Sequence, residues 1–186
     1  MPPILKAAFL SAEDKNFYLH RGYDPRGMIA AAVTAARGGR LRGASTITQQ
    51  VMKNFLLSSD RSAERKIKEL ILASRLEKTL SKAQILELYL NEIFLGQNSF
   101  GVSAAAQTYF NKTLSELSPQ EAAFLAALPK SPSKRHPVRN LDVATFWRNN
   151  TLREMFENGY IDAPTYDAAR EAPLLTVQNG DYISFR

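Results

Sequence analysis

Glu13 and Glu69 are the residues of this chain best suited by type and setting to do chemistry. Glu13 opens the stretch Glu13-Asp14-Lys15-Asn16-Phe17-Tyr18-Leu19-His20-Arg21-Gly22, where two adjacent carboxylates precede aromatics, a histidine, a cation and a breaker. The segment before it, Pro3 to Leu10, reads as a short helix opened by proline, which projects Glu13 on the face of Phe9. An apolar neighbour and the negative end of a helix dipole both disfavour a charged carboxylate, the setting of a general base. The plainer reading of the same residues is an ordinary solvated helix end. Glu69 lies one turn from Arg65 and shares a stripe with Leu72 and Leu76, so it should face other elements rather than open water. It reads either as a structural ion pair with Arg65 or Lys66, or as a second acid in a cleft.

Between the two acids lie Ser45, Thr46, Gln49, Gln50 and Lys53, a set of hydroxyls, amides and one ammonium suited to phosphate or sugar oxygens. Two carboxylates facing a cleft are the minimal equipment for chemistry at an anomeric carbon, with one acid or base per face of the sugar. Cations in the same cleft suit a phosphate leaving group. Arg and Lys would hold a departing pyrophosphate, with or without a divalent cation such as Mg or Mn.

The elements that must position these groups are helices; strand signals are scarce. Asp24-Pro25 gives an N-cap and a first-turn proline for a helix that Arg37-Gly38-Gly39 stops. After a glycine-rich cationic loop through Gly43, Ser45 is expected to cap a helix through Leu57, with Ile47, Val51 and Phe55 on one side and Thr48, Gln49 and Lys53 near the other. That greasy, basic region reads either as core or as a surface that lies on a membrane. From Ser62 to Lys78 two apolar stripes, Ile67, Leu70, Ile71 and Ser74 against Leu72, Ala73 and Leu76, predict a helix buried on two faces. Ser81-x-x-Gln84 with a Leu80/Ile85 staple starts a helix at Lys82, in which Tyr89 and Asn91 are polar groups of a buried run. Further helices are expected over Val102 to Phe110, from Ser118-Pro119 to Pro129, over Leu141 to Asn158 and from Asp162. Pro129 to Pro137 reads as an exposed irregular connection, and residues 173–186 as an extended tail leading towards a following module.

The chain has 186 residues, which fits one domain or two lobes sharing one core, and a net charge of +6, which favours an anionic partner. With no cysteine it has neither disulfides nor thiolate chemistry, and its two histidines, His20 and His136, are too far apart in sequence to suggest a histidine-rich metal site. No run approaches the ~18 apolar residues that span a bilayer. A basic helical nucleic-acid-binding domain would explain the charge but not two acids in apolar stripes. A lysozyme-type lytic glycosidase would explain the acids but has no need for the cationic groups.

Four motifs occur in order: Glu13-Asp-Lys-Asn-Phe-Tyr-Leu-His20-Arg-Gly22, Gly43-Ala-Ser-Thr-Ile-Thr-Gln-Gln50, Arg65-Lys66-Ile-Lys-Glu69 and Lys82-Ala-Gln-Ile-Leu-Glu-Leu-Tyr-Leu-Asn91. They resemble the first four motifs of the peptidoglycan glycosyltransferases, family 51, found in class A penicillin-binding proteins and monofunctional transglycosylases. The resemblance covers about Ile4 to Leu152. A fifth motif, usually a pair of arginines before an asparagine, looks like Trp147-Arg148-Asn149-Asn150-Thr151-Leu152, with tryptophan in place of the first arginine, which suggests packing at that position.

The resemblance implies a mainly α, lysozyme-like fold, a single glycosyltransferase domain over residues 1–186 with a large head lobe and a small membrane-facing jaw at roughly 26–61. It implies a polymerase of glycan strands that uses lipid II and the nascent strand, works at the outer face of the cytoplasmic membrane, binds moenomycin-type inhibitors and takes no nucleic acid. Glu13 corresponds to the base that deprotonates the acceptor 4-hydroxyl, and Glu69 to the glutamate that assists or positions the pyrophosphate, through a divalent cation in one version. Ser45, Thr46, Gln49, Gln50, Lys53, Arg65 and Lys66 would bind phosphates and sugar. The same correspondence puts Asp14, Phe17, His20, Gly43 and Asn91 on the substrate side.

Overall fold

Proline and capping signals set most of the helix boundaries. The computed structural model describes residues 1–39, 45–56 and 63–177, and those residues form nine α-helices and no sheet. They are α1 (Pro3–Glu13), α2 (Pro25–Ala36), α3 (Ile47–Leu56), α4 (Ala63–Thr79), α5 (Lys82–Glu92), α6 (Val102–Phe110), α7 (Pro119–Ala127), α8 (Leu141–Glu157) and α9 (Ala163–Glu171). The mainly α expectation is met. The chain divides into two units, one of Met1–Ala12 with Leu90–Arg186 and one of Glu13–Tyr89.

In the first unit, α7 is the innermost element. Pro119 starts it, Glu121 accepts the Ser118 N–H at 2.9 Å, and Ala122 to Ala127 are all buried. A run of alanines broken by Phe124 and Leu125 lets neighbouring helices approach closely, and α7 packs on α6, α8 and α9. The Phe124 ring meets Tyr109 edge-on at 5.4 Å and Phe110 at 5.9 Å, while the Tyr109 hydroxyl donates to the Leu95 carbonyl. Gly101 has φ of 81°, and a Cβ there would meet the Asn91 carbonyl oxygen at 2.3 Å, so only glycine fits.

Two basic residues of this unit are structural. Arg148 is buried in α8, and its guanidinium donates to the carbonyls of Ala172 at 2.6 Å and Arg170 at 3.0 Å, closing the C-terminal end of α9. The end of the Pro129–Pro137 segment is buried, contrary to the exposed connection expected of it. Arg135 donates to the Ala127 carbonyl at the end of α7 and lies 3.9 Å over the Trp147 ring. Trp147 therefore packs, as its replacement of an arginine suggested, and Arg135 supplies the cation that covers it. Leu174 and Thr176 are buried and Val177 donates its N–H to Tyr109 at 2.9 Å; the tail beyond lies outside the described residues.

In the second unit, Asp24 caps α2 by accepting the Gly27 N–H at 3.0 Å. The cap of α3 is Thr46, not Ser45. Thr-x-x-Gln forms a reciprocal box in which Thr46 N donates to Gln49 Oε1 and Gln49 N donates to Thr46 Oγ1. This choice frees the Ser45 hydroxyl for another partner and draws Gln49 into the interior. Thr48 is buried as well, donating to Glu77, which also receives Lys82. α3 and α4 pack together. α4 is buried on one face rather than two: Glu69 and Ala73 are inside, while Ile67 and Ile71 are 57% and 48% exposed.

Candidate active site

Glu13 is the last residue of α1, and its carboxylate Oε2 accepts a hydrogen bond from Gln50 Nε2 at 2.9 Å. Gln50 lies in the first turn of α3. What fixes that turn is the neighbour of Glu13 in sequence: buried Asp14 accepts the Ile47 N–H at 2.9 Å and faces His20 Nε2 with both oxygens, at 2.9 and 3.0 Å. A carboxylate at a helix N-terminus is favoured by its orphan N–H groups and dipole. Asp14 thus anchors the helix whose amide holds Glu13. The sequence suggested apolar company for Glu13; the structure adds a directed amide donor that fixes the orientation of its carboxylate.

Lys66 and Glu69, on α4, form the second cluster. The Lys66 ammonium donates to Ser45 Oγ at 2.8 Å and to the buried Glu69 carboxylate. Among the described residues these two acceptors take two of its three protons, so the ammonium is oriented while part of it faces outwards. Glu69 pairs with Lys66, and through Lys66 it reaches Ser45. Arg65 is half-buried on the same helix and Lys53 is exposed in the last turn of α3.

A cavity of about 520 Å³ collects the first cluster and Ser45. Its lining runs from Glu13 to Asn16, takes Asp24, Gly27, Ala30, Ala31 and Thr34 from α2, and closes with Ser45 and Thr46. A second cavity, about 720 Å³, opens on the other side of α2. Tyr23, Pro25, Met28 and Ile29 face Ile67, Leu70, Ile71 and Ser74 of α4 there, with Arg75 and Lys78 as its cations. The first α4 stripe, expected to be buried, lines this open trough.

Not every residue expected at the site lines it. Phe17 is fully buried, stacked edge-on against Tyr18 and His20 and covered by the Lys82 ammonium at 4.4 Å. His20 is bonded to Asp14 and Gln49 to the α3 cap, and none of these three lines the cavity. Asn91 is exposed and belongs to the first unit, with its carbonyl against Gly101. Gly43 lies outside the described residues.

Sequence reasoning passed over Asp24, Asn16 and Tyr89. Asp24 was read only as a cap, yet its second oxygen accepts Asn16 Nδ2 at 2.9 Å, tying α2 to the loop after Glu13. The Asn16 hydrogen bond and the Gly27 N–H hold the Asp24 carboxyl below its ordinary value, against the effect of burial. Burial pushes the Tyr89 phenol well above its usual range, and the charges of Glu13 and Asp14 act in the same direction. Tyr89 is therefore part of the site's electrostatics. No three acidic or histidine side chains converge among the described residues in the way a metal cage requires, and no helix among them is long and apolar enough to cross a membrane.

Residues 1–156 match the family model described as Transglycosylase. Penicillin-binding protein 1A of Haemophilus influenzae is 47% identical over 187 residues, covering 100% of this chain and 22% of that protein. The proteins of the same name from Rickettsia felis and Aquifex aeolicus are 51% and 48% identical, over 92% and 94% of this chain. The chain spans 22% to 24% of the length of these three relatives. A crystal structure of penicillin-binding protein 1A from Haemophilus influenzae superposes with a TM-score of 0.49 and 36% identity, over 70% of this chain and 16% of that one. On the match over residues 1–156, the chain belongs to the transglycosylase family.

Proposed function

We propose that this chain polymerises peptidoglycan glycan strands, transferring the growing chain from polyprenyl pyrophosphate to the 4-hydroxyl of lipid II with inversion. The observation that carries this reading is the oriented Glu13 carboxylate, held by Gln50 and opening on a polar cavity whose Ser45 is bonded to Lys66. Glu13 takes the proton of the acceptor 4-hydroxyl as its oxygen attacks the anomeric carbon. The bond to the pyrophosphate breaks, and its electron pair leaves with that group. Lys66, directed by Glu69 and Ser45, and Arg65 beside it stabilise the charge that develops on the leaving oxygens. Gln50 keeps the Glu13 carboxylate oriented. The proton ends on Glu13 and passes to water.

The described residues do not make a cation cage, since Glu69 is committed to the Lys66 ammonium, and no step is assigned to a metal. The apolar trough between α2 and α4, with Arg75 and Lys78 as its cations, is the surface we assign to anionic lipid at the outer face of the cytoplasmic membrane. It uses α2 of the expected jaw, residues 26–61, and adds Ile67 and Ile71 of α4. A moenomycin-type phosphoglycolipid would place its phosphate at Lys66 and Arg65 for the same electrostatic reason as the substrate.

A lytic glycosidase is the competing reading, because it too needs a positioned glutamate. Incubation with labelled lipid II, and in parallel with finished glycan strands, separates the two. Polymer from lipid II with no shortening of finished strands is the expected result; shortening of strands without polymer overturns the proposal.

A further inference from the structure

The cavity at Glu13 has a chemical bias that limits what part of a substrate it accepts. Among the described residues its lining carries the carboxylates of Glu13, Asp14 and Asp24 against one cation, Lys15. A pyrophosphate is disfavoured there, whereas a neutral ring whose hydroxyls donate to carboxylate, hydroxyl and amide oxygens is not. The phosphate-binding groups Lys66 and Arg65 are not part of that lining. One wall is α2, which contributes Gly27, Ala30, Ala31 and Thr34 at positions i, i+3, i+4 and i+7, one face of the helix.

That wall offers little hydrogen bonding. Gly27, Ala30 and Ala31 have no polar side-chain atom, and the Thr34 hydroxyl donates to the Ala30 carbonyl at 2.8 Å. Its fit to a ligand is a matter of shape. At Gly27 the space is already taken, because a Cβ would meet the Asp24 Oδ2 at 2.8 Å. Ala30, which is exposed, presents only a methyl group to the cavity.

We infer that the α2 wall, through Ala30 and Thr34, sets the size of the acceptor sugar that can reach Glu13. This inference rests on the transfer reaction proposed above and deepens it. Ala30 and Thr34 are specificity-determining residues and take no part in the proton transfer. A larger side chain there obstructs acceptor binding while leaving the Glu13–Gln50 pair and the Lys66 cluster unchanged.

The test uses the 186-residue chain with Ala30→Leu, Thr34→Leu and, as control, Ala32→Leu, which lies on α2 outside both cavities. Leucine is a good helix former and all three positions are exposed, so the variants should match the wild type in thermal unfolding. Initial rates of polymerisation are measured against lipid II concentration. Ala30→Leu and Thr34→Leu should each lower kcat/KM by about tenfold or more, mainly through KM, the signature of lost ground-state binding. Ala32→Leu should stay within about twofold of wild type, the range of a surface change of ±0.5 kcal/mol. Equal rates in all three variants, with an active wild type, overturn the inference alone. A wild type that makes no polymer overturns the transfer reading beneath it.

Discussion

α2 contributes to two cavities, and the two are chemically opposite. One side of the helix, Gly27, Ala30, Ala31 and Thr34, joins Glu13, Asp14 and Asp24 around a polar space of about 520 Å³. The other, Pro25, Met28 and Ile29, joins Ile67, Leu70 and Ile71 around an apolar one of about 720 Å³. The polar cavity is held by directed bonds: Gln50 to Glu13, Ile47 and His20 to Asp14, Asn16 to Asp24. The apolar trough is lined by side chains that remain substantially exposed. Fixed geometry is what proton transfer needs, and exposed apolar area is what a lipid surface needs. In the proposed reaction the chemistry belongs to the smaller of the two cavities.

Asp14 is where the polar cavity is most vulnerable. Asp14→Ala leaves His20 and the Ile47 N–H without their acceptor in a buried setting, at a cost of about 2–4 kcal/mol for the two groups together. It also releases the α3 turn that carries Gln50, so polymerisation should fall with thermal stability. Asp14→Asn, which keeps an acceptor for Ile47, should recover more stability than activity; full recovery of both would mean that the charge at Asp14 is unimportant. Glu69→Gln comes next. It removes the counter-charge of Lys66 but keeps an acceptor at the same position, so turnover should drop by about 10–100-fold, as expected when the carboxylate that orients a binding group is lost, with a smaller change in unfolding temperature. A collapse of stability at unchanged activity would make Glu69 purely structural.

The trough gives a prediction of opposite kind. Ile67→Ser with Ile71→Ser should weaken co-sedimentation with vesicles containing anionic phospholipid several-fold while leaving turnover of detergent-solubilised lipid II near wild type. Equal loss in both assays would merge the two cavities into one site. The smallest effect concerns Asp24. Its carboxyl is held below the ordinary 3.8 in the folded chain, chiefly by Asn16, so the folded state binds its proton less readily than the unfolded state. The resulting stability is present above about pH 4 and is lost as the pH falls through the folded value. Asn16→Ala should weaken that acid-side dependence in thermal unfolding scans; an unchanged profile would remove Asn16 as its cause.

Local signals were readable wherever one residue pattern admitted one structure. Asp24-Pro25, Ser118-Pro119, Ser81-x-x-Gln84 and Asp162 each start the helix they predict, because a cap acts within one turn. Where two patterns overlapped, the nearer rule misled: Ser45 precedes the helix, but Thr46-x-x-Gln49 makes the box. Periodicity gave the stripes of α4 correctly and their burial wrongly, since apolar spacing does not reveal whether a neighbour closes over a face. At the site, the acids and cations were visible by type. Their division of labour was not, because the bond from His20 to Asp14 and that from Gln50 to Glu13 join segments whose pairing has no local signature. Asp24 and Tyr89 were hidden for the same reason, each carrying an ordinary local explanation.

The proposed transfer depends on Glu13 as its base. Glu13→Gln keeps a side chain of the same shape that can still accept the Gln50 bond, so folding should be unaltered while the proton acceptor is gone. With labelled lipid II, the rate of polymer formation should fall by about 10²–10⁴-fold, with the thermal unfolding temperature and retention on anionic vesicles unchanged. Polymerisation at or near the wild-type rate in this variant would mean that Glu13 is not the base.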